Sequence, residues 1–170
     1  DVVVDSLDWI YKNLKEEDFL GIVNLAAITD TKSSADFSEV NCNQVMRLRQ
    51  HWSKIFFIHA SSMLAEYHNF KSADRITLEY GFSKRIVEEV FCNDRGFLCV
   101  RFPMVYSKHD MADYHVNKFK LYSHVFRYFS VKPAQAKKSM LLAEDIGDFV
   151  SDMINSPEYG RRYLCDDHLT

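Results

Sequence analysis

Tyr80 and Lys84 stand four residues apart in the run Tyr80-Gly81-Phe82-Ser83-Lys84. On a helix that spacing puts both side chains on one face, about one turn apart. A free tyrosine ionises near pH ~10, too high for proton transfer at neutral pH. An ammonium beside it favours the phenolate and lowers that value. A drop of about three units corresponds to roughly 4 kcal/mol of differential stabilisation. The phenol then becomes a usable proton donor and acceptor. Taken alone the pair carries little information, because this spacing recurs by chance.

Two further groups gain meaning from their position. Ser61-Ser62 directly follows the apolar run Ile55 to Ala60 (IFFIHA). A hydroxyl at the C-terminal end of a central strand could hydrogen-bond a substrate carbonyl or alkoxide. The ordinary alternative is a loop serine capping a turn. Asn24-Leu25-Ala26-Ala27 closes the preceding apolar run, and Asn41 lies early in the next helical segment. Small residues at a strand end let a ligand approach the backbone, although plain helix-on-sheet packing asks for the same residues.

The elements that must position these groups alternate between short apolar runs and longer helical patterns. Val2-Val3-Val4 reads as a strand. Leu7 to Leu20 carries Leu7, Ile10, Tyr11 and Leu14 at helical spacing. Gly21 to Ala27, Ile55 to Ala60 and Phe97 to Phe102 read as buried strands, and Arg162 to Cys165 as a last one. Phe37 to Trp52, with Val40, Val45, Leu48 and Trp52 inward, Leu78 to Phe91, Asp113 to Phe129 and Ala143 to Ile154 read as helices. Strands apolar throughout belong in a sheet covered on both faces. With helices between them, that predicts an α/β fold with a doubly wound parallel sheet. The chain reads as one domain over residues 1–170, with a small substrate-side part around 107–142.

Composition narrows the function classes. The chain has 170 residues, 47% hydrophobic and 26% charged, with net charge −3. That balance argues against nucleic acid as a partner, and the basic run Lys132 to Lys138 reads as a solvated loop. No stretch reaches the roughly 20 apolar residues of a membrane span, and the opening DVVVDSLDWI shows no signal-peptide pattern. Cys42, Cys92, Cys99 and Cys165 form no C-x-x-C pair. They read as free thiols of a reducing, cytoplasmic compartment, with no metal site.

Taken together, these motifs resemble the extended short-chain dehydrogenases, the family that includes nucleotide-sugar epimerases, dehydratases and 4-keto reductases. The matching residues are Val23-Asn24-Leu25-Ala26-Ala27, Val40-Asn41, Phe57-Ile58-His59-Ala60-Ser61-Ser62 and Tyr80-Gly81-Phe82-Ser83-Lys84 with Glu88. Val100-Arg101-Phe102-Pro103-Met104-Val105-Tyr106 and Glu144-Asp145-Ile146-Gly147-Asp148 extend the likeness over nearly the whole chain. The resemblance implies a Rossmann-like fold and a nicotinamide-dependent oxidoreductase or epimerase acting on a nucleotide-sugar. It implies Tyr80 as acid/base, Lys84 lowering its pKa and holding the nicotinamide ribose, and Ser62 on the reacting oxygen. Leu25, Ala26, Ala27, Asn41, Ala60, Ser61, Pro103 and Val105 would line NAD or NADP with Tyr80 and Lys84. Ser62, Met63, Met104 and His109 would meet the substrate. A homodimer through the Tyr80 helix, using Ile86, Val87 and Val90, is the assembly the resemblance implies, although core packing explains some of these aliphatics equally well.

The departures are equally specific. The family's phosphate-binding Gly-x-x-Gly-x-x-Gly turn has no counterpart among Gly21, Gly81, Gly96, Gly147 and Gly160. The match begins at the family's third strand, so about 60 residues (two βαβ steps) are expected to be missing. Dinucleotide binding by the chain alone should then be weak, with an open sheet edge. Ala65-Glu66-Tyr67 replaces the usual Val-Tyr-Gly, Ser107 replaces a glycine, and Met104 stands where many sugar epimerases have asparagine. These losses support a second reading, a catalytically weakened relative serving as a binding or regulatory module. A hydrolase built on Ser62 with His109 or His115 has no Gly-x-Ser-x-Gly elbow behind it.

Overall fold

The computed structural model describes residues 7–29, 36–66, 74–106 and 140–163. The expected strand at Val2 to Val4, the helix at Asp113 to Phe129, the basic run Lys132 to Lys138, and His109, His115 and Cys165 lie outside the described residues.

Four strands form the main sheet: β1 (Gly21–Asn24), β2 (Phe56–Ser62), β3 (Phe97–Phe102) and β6 (Gly160–Tyr163), side by side in that order and all parallel. Two short strands, β4 (Met104–Tyr106) and β5 (Met140–Leu142), pair in parallel as a second sheet. The helices are α1 (Leu7–Asn13), α2 (Gln44–His51), α3 (Arg75–Val90) and α4 (Ala143–Asn155). The doubly wound parallel sheet expected from the sequence is therefore present, with β1 at one edge of the described strands.

Alternate residues of the strands feed two cores. Phe57, Phe97 and Cys99 point toward α2 and α3, where they meet Cys42, Val45, Leu48, Trp52 and Val87. Ile58, Leu98, Val100 and Phe102 point the other way, toward Leu141 and the apolar face of α4. The phenyl rings of Phe57, Phe97 and Phe91 stack with centroids 4.9 and 4.3 Å apart. Each fully buried ring contributes roughly 1.5–3 kcal/mol by leaving water.

Several boundaries differ from the sequence reading, each for a local reason. The helix expected to run to Leu20 stops at Asn13, because the Asp18 carboxylate captures the Lys15 amide at 2.7 Å and nucleates a separate 3-10 turn, Glu16–Asp18. β1 ends at Asn24, not Ala27, where the Asn24 side chain accepts the Ala26 amide at 3.2 Å and bends the chain. The helix expected at Phe37 opens as a π-helical turn, Phe37–Asn43, before α2. α3 starts three residues earlier than its apolar pattern suggested, because Asp74 caps it by accepting the Thr77 amide at 2.9 Å. The last strand begins at Gly160 rather than Arg162. Its φ of +101° is open to glycine and strained for other residues. Of the aliphatics on the Tyr80 helix that fit either an interface or the core, Val87 is core, clustered with Phe57 and Phe97.

Candidate functional site

Ser61 and Ser62 are the last two residues of β2, not loop residues after it. Ser62 Oγ accepts the Leu64 amide at 3.2 Å, which fixes its side chain at the start of the 3-10 turn Met63–Glu66. The Ser62 hydroxyl stands close enough to the Tyr80 phenol to favour its ionised form. Lys84, one turn further along α3, is buried and donates from Nζ to the Ala60 carbonyl at 2.7 Å. Its ammonium lies 5.9 Å from the centre of the Tyr80 ring. Ser62, Tyr80, Lys84 and Ala60 are thus brought together at the C-terminal end of the central strand, where parallel sheets present ligands.

Gly81 makes this approach sterically feasible. A β-carbon there would lie 2.4 Å from the Leu64 carbonyl oxygen, a backbone atom that cannot swing away. α3 therefore rests directly on the turn that follows Ser62.

The electrostatics depart from the expectation of an acidified phenol. Tyr80 is held above its ordinary value because burial disfavours the phenolate, with the Ser62 hydrogen bond only partly offsetting this. The group that shifts down is Lys84, lowered to about 8 by burial, against the opposing pull of Cys42, Cys99 and Glu88. The physical reason is burial, which penalises the charged form of both groups, the phenolate and the ammonium.

Asn41 is fully buried, in the π-helical turn. Its side chain accepts the Ile28 amide and donates to the Ile28 carbonyl, both at 3.0 Å, and also donates to Ser83 Oγ at 3.1 Å. Ser83 in turn donates to the Tyr80 carbonyl at 2.7 Å. The asparagine therefore ties the segment after β1 to the Tyr80 helix. Leu25 is 58% exposed at the end of β1, Ala26 is exposed and Ala27 half-buried. Pro103 and Met63 are half-buried, and Val105 is exposed on β4. The side chain of Met104, like the whole of His109, lies outside the described residues.

The sequence reading gave no role to the buried polar layer beneath the site. Glu88 accepts Ser61 Oγ at 2.5 Å, a pair of Arg101 contacts at 2.8 and 2.6 Å, and Arg161 Nε at 2.9 Å. Ser61, assigned to cofactor by resemblance, thus has its hydroxyl on this carboxylate. The signals were available: Tyr80, Lys84 and Glu88 continue one i, i+4, i+8 stripe. Arg101 is a lone charge in an apolar strand, which must find a counter-charge when buried. His59 is also buried. Its Nδ1 accepts from Asn24 Nδ2 at 3.2 Å, which places the ring proton on Nε2, a buried atom without a hydrogen-bond partner among the described residues.

The donor set fits one end of a dinucleotide better than the other. Leu25 and Ala26, just past the end of β1, and Val105 on β4 present exposed apolar surface of the kind a nicotinamide-ribose takes. For a pyrophosphate, the glycines offer no counterpart: Gly21 begins a strand, Gly81 packs on Leu64, Gly96 is beside Arg49, Gly147 is inside α4 and Gly160 opens β6.

No protein-family model and no curated protein sequence matches the chain. Solved structures do match it in fold. The Helicobacter pylori ADP-L-glycero-D-manno-heptose-6-epimerase matches with a TM-score of 0.64 at 17% identity, over 88% of this chain and 54% of that one. The Bacillus cereus UDP-N-acetylglucosamine 4-epimerase gives 0.62 at 18%, over 98% and 63%. RMD from Pseudomonas aeruginosa, complexed with NADPH, gives 0.61 at 14%, over 91% and 63%. The chain spans between about half and two thirds of the length of these structures. At such identities the likeness is one of fold. No helix among the described residues is long and apolar enough to cross a membrane.

Proposed function

We propose that this chain forms the catalytic core of an NAD(P)-dependent enzyme acting on a nucleotide-sugar, as an oxidoreductase or epimerase. The observation that carries the reading is the convergence of Ser62 and Lys84 on Tyr80 at the end of β2. The fold likeness to two nucleotide-sugar epimerases and to an NADPH complex supports it.

In this reading Tyr80 moves a proton between its phenol oxygen and the reacting oxygen of the sugar. Ser62 donates a hydrogen bond to that same oxygen and aligns it with the phenol. A bound nicotinamide would supply or accept the hydride. Leu25, Ala26, Ala27, Ala60, Pro103 and Val105 would line it, with Lys84 at its ribose and Ser61 and Asn41 holding the surrounding backbone. Met63, Met104 and His109 are proposed to meet the sugar. Lys84, with a value near 8, is mostly charged at neutral pH. Its charge opposes the burial penalty on a phenolate once the proton has left.

Two measurements test this reading. Titration of the full-length protein with NAD(H) and NADP(H), followed by fluorescence, should show saturable binding. Tyr80→Phe should abolish turnover and leave cofactor affinity nearly unchanged. Wild-type rates in Tyr80→Phe would refute the mechanism. The glycine placement favours a second reading, a binding module with weakened catalysis, and failure of the titration selects it.

A further inference from the structure

We infer that Gly81 and Glu66 are positioning residues, which together clamp the turn Met63–Glu66 so that the Ser62 hydroxyl meets Tyr80. The inference rests on the proposed role of Tyr80 for its catalytic meaning, but not for its geometry.

The turn is held at two points. At its near end Leu64 donates its amide to Ser62 Oγ, and its carbonyl lies against Gly81, where a β-carbon would come within 2.4 Å of the oxygen and 3.0 Å of the carbon. Tyr80 immediately precedes that contact. Any side chain at residue 81 must push α3 and the turn apart, and Tyr80 and Ser62 ride on opposite sides of the gap. At its far end Glu66 Oε1 meets Arg101 NH1 at 3.2 Å.

Arg101 is a stiff anchor for this pair. It is buried at the end of β3, and two of its other contacts run to the buried Glu88 of α3, at 2.8 and 2.6 Å. Glu88 is braced by Ser61 and Arg161 as well. The same guanidinium thus grips the Tyr80 helix through Glu88 and the Ser62 turn through Glu66. The buried members, Arg101 and Glu88, are of opposite charge, so this pair holds position without a net buried charge of its own.

The clamp can be read without turnover. Fluorotyrosine is incorporated throughout, and the Tyr80 fluorine NMR resonance is assigned by its loss in Tyr80→Phe and followed against pH. Ser62→Ala should raise the Tyr80 midpoint by about one pH unit, the order expected for one hydrogen bond to an ionised oxygen. Gly81→Ala should raise it comparably, and the Ser62→Ala/Gly81→Ala double variant should show no further rise. A folded Gly81→Ala with a wild-type midpoint, or additive shifts in the double variant, overturns the inference. Should Gly81→Ala fail to fold, Glu66→Gln, at a side chain 50% exposed, decides the matter: a smaller rise supports the clamp, and an unmoved midpoint overturns it. A wild-type protein without turnover that still shows these shifts would remove the proposed reaction and leave the clamp standing.

Discussion

Lys84 donates to the Ala60 carbonyl at 2.7 Å while its ammonium stands 5.9 Å from the centre of the Tyr80 ring. One cation therefore tethers α3 to β2 and faces the phenol. The arrangement costs stability, because the charge is buried. With a folded value of about 8 against an unfolded value of 10.5, both states are protonated below pH 8 and the full penalty applies. As pH rises from 8 toward 10.5 the folded state releases its proton first, and stability rises. Lys84→Met removes this dependence. Its stability relative to wild type should fall by about 1 kcal/mol between pH 7 and pH 9, measured by urea unfolding. A difference that stays constant over this range would show that Lys84 is not titrating as described.

His59 gives an opposite pH window. Burial, reinforced by the Lys84 charge, holds its imidazole well below the ordinary 6.5. Above that pH the ring is neutral in both states. As pH falls through it, the unfolded chain takes up a proton that the fold refuses, and stability is lost at up to about 1.4 kcal/mol per unit. His59→Gln keeps an acceptor for Asn24 and should flatten the profile between pH 7.5 and 5. Parallel wild-type and variant profiles would count against it.

The Arg101–Glu88 pair should respond asymmetrically to substitution. Glu88→Ala leaves Arg101 and Arg161 without their shared carboxylate and should cost about 3–5 kcal/mol. The double variant Glu88→Leu/Arg101→Met should lose markedly less, because no buried charge is stranded. Chemical denaturation of wild type, Glu88→Ala, the singles Glu88→Leu and Arg101→Met, and the double variant checks this. A double variant as unstable as the sum of its singles would argue against a coupled network.

Dimerisation through the Tyr80 helix predicts an altered interface from the one first expected. Val87 is unavailable, whereas Phe82 and Val90 are 57% and 55% exposed, two turns apart along α3. If this helix pairs with its copy, sedimentation should give a dimer for wild type and a monomer for Phe82→Glu/Val90→Glu. A monomeric wild type at high concentration sinks the idea.

The sequence pattern sufficed for the parallel sheet and for the order of its elements, because runs such as Phe97 to Phe102 are apolar at every position but Arg101 and only a sheet covered on both faces accepts them. It also sufficed to bring Tyr80 and Lys84 to one side of a helix, since that follows from helical periodicity. It misplaced helix starts and strand ends where one side chain decides, as Asp74 does for α3 and Asn24 for β1. β4 and β5 were not read as strands, because three-residue strands carry too short a pattern and their partners lie far apart in the chain.

What the amino-acid order determined by itself was therefore which residues share an element and a face, a matter of local geometry. Only the tertiary structure decided how those faces meet. The absence of a β-carbon at Gly81 matters because of the Leu64 carbonyl, and Arg101 matters because Glu88 and Glu66 flank it from separate elements. The phenol of Tyr80 shifted upward rather than downward for the same reason: proximity to a cation is readable from spacing, but desolvation depends on everything packed around the pair.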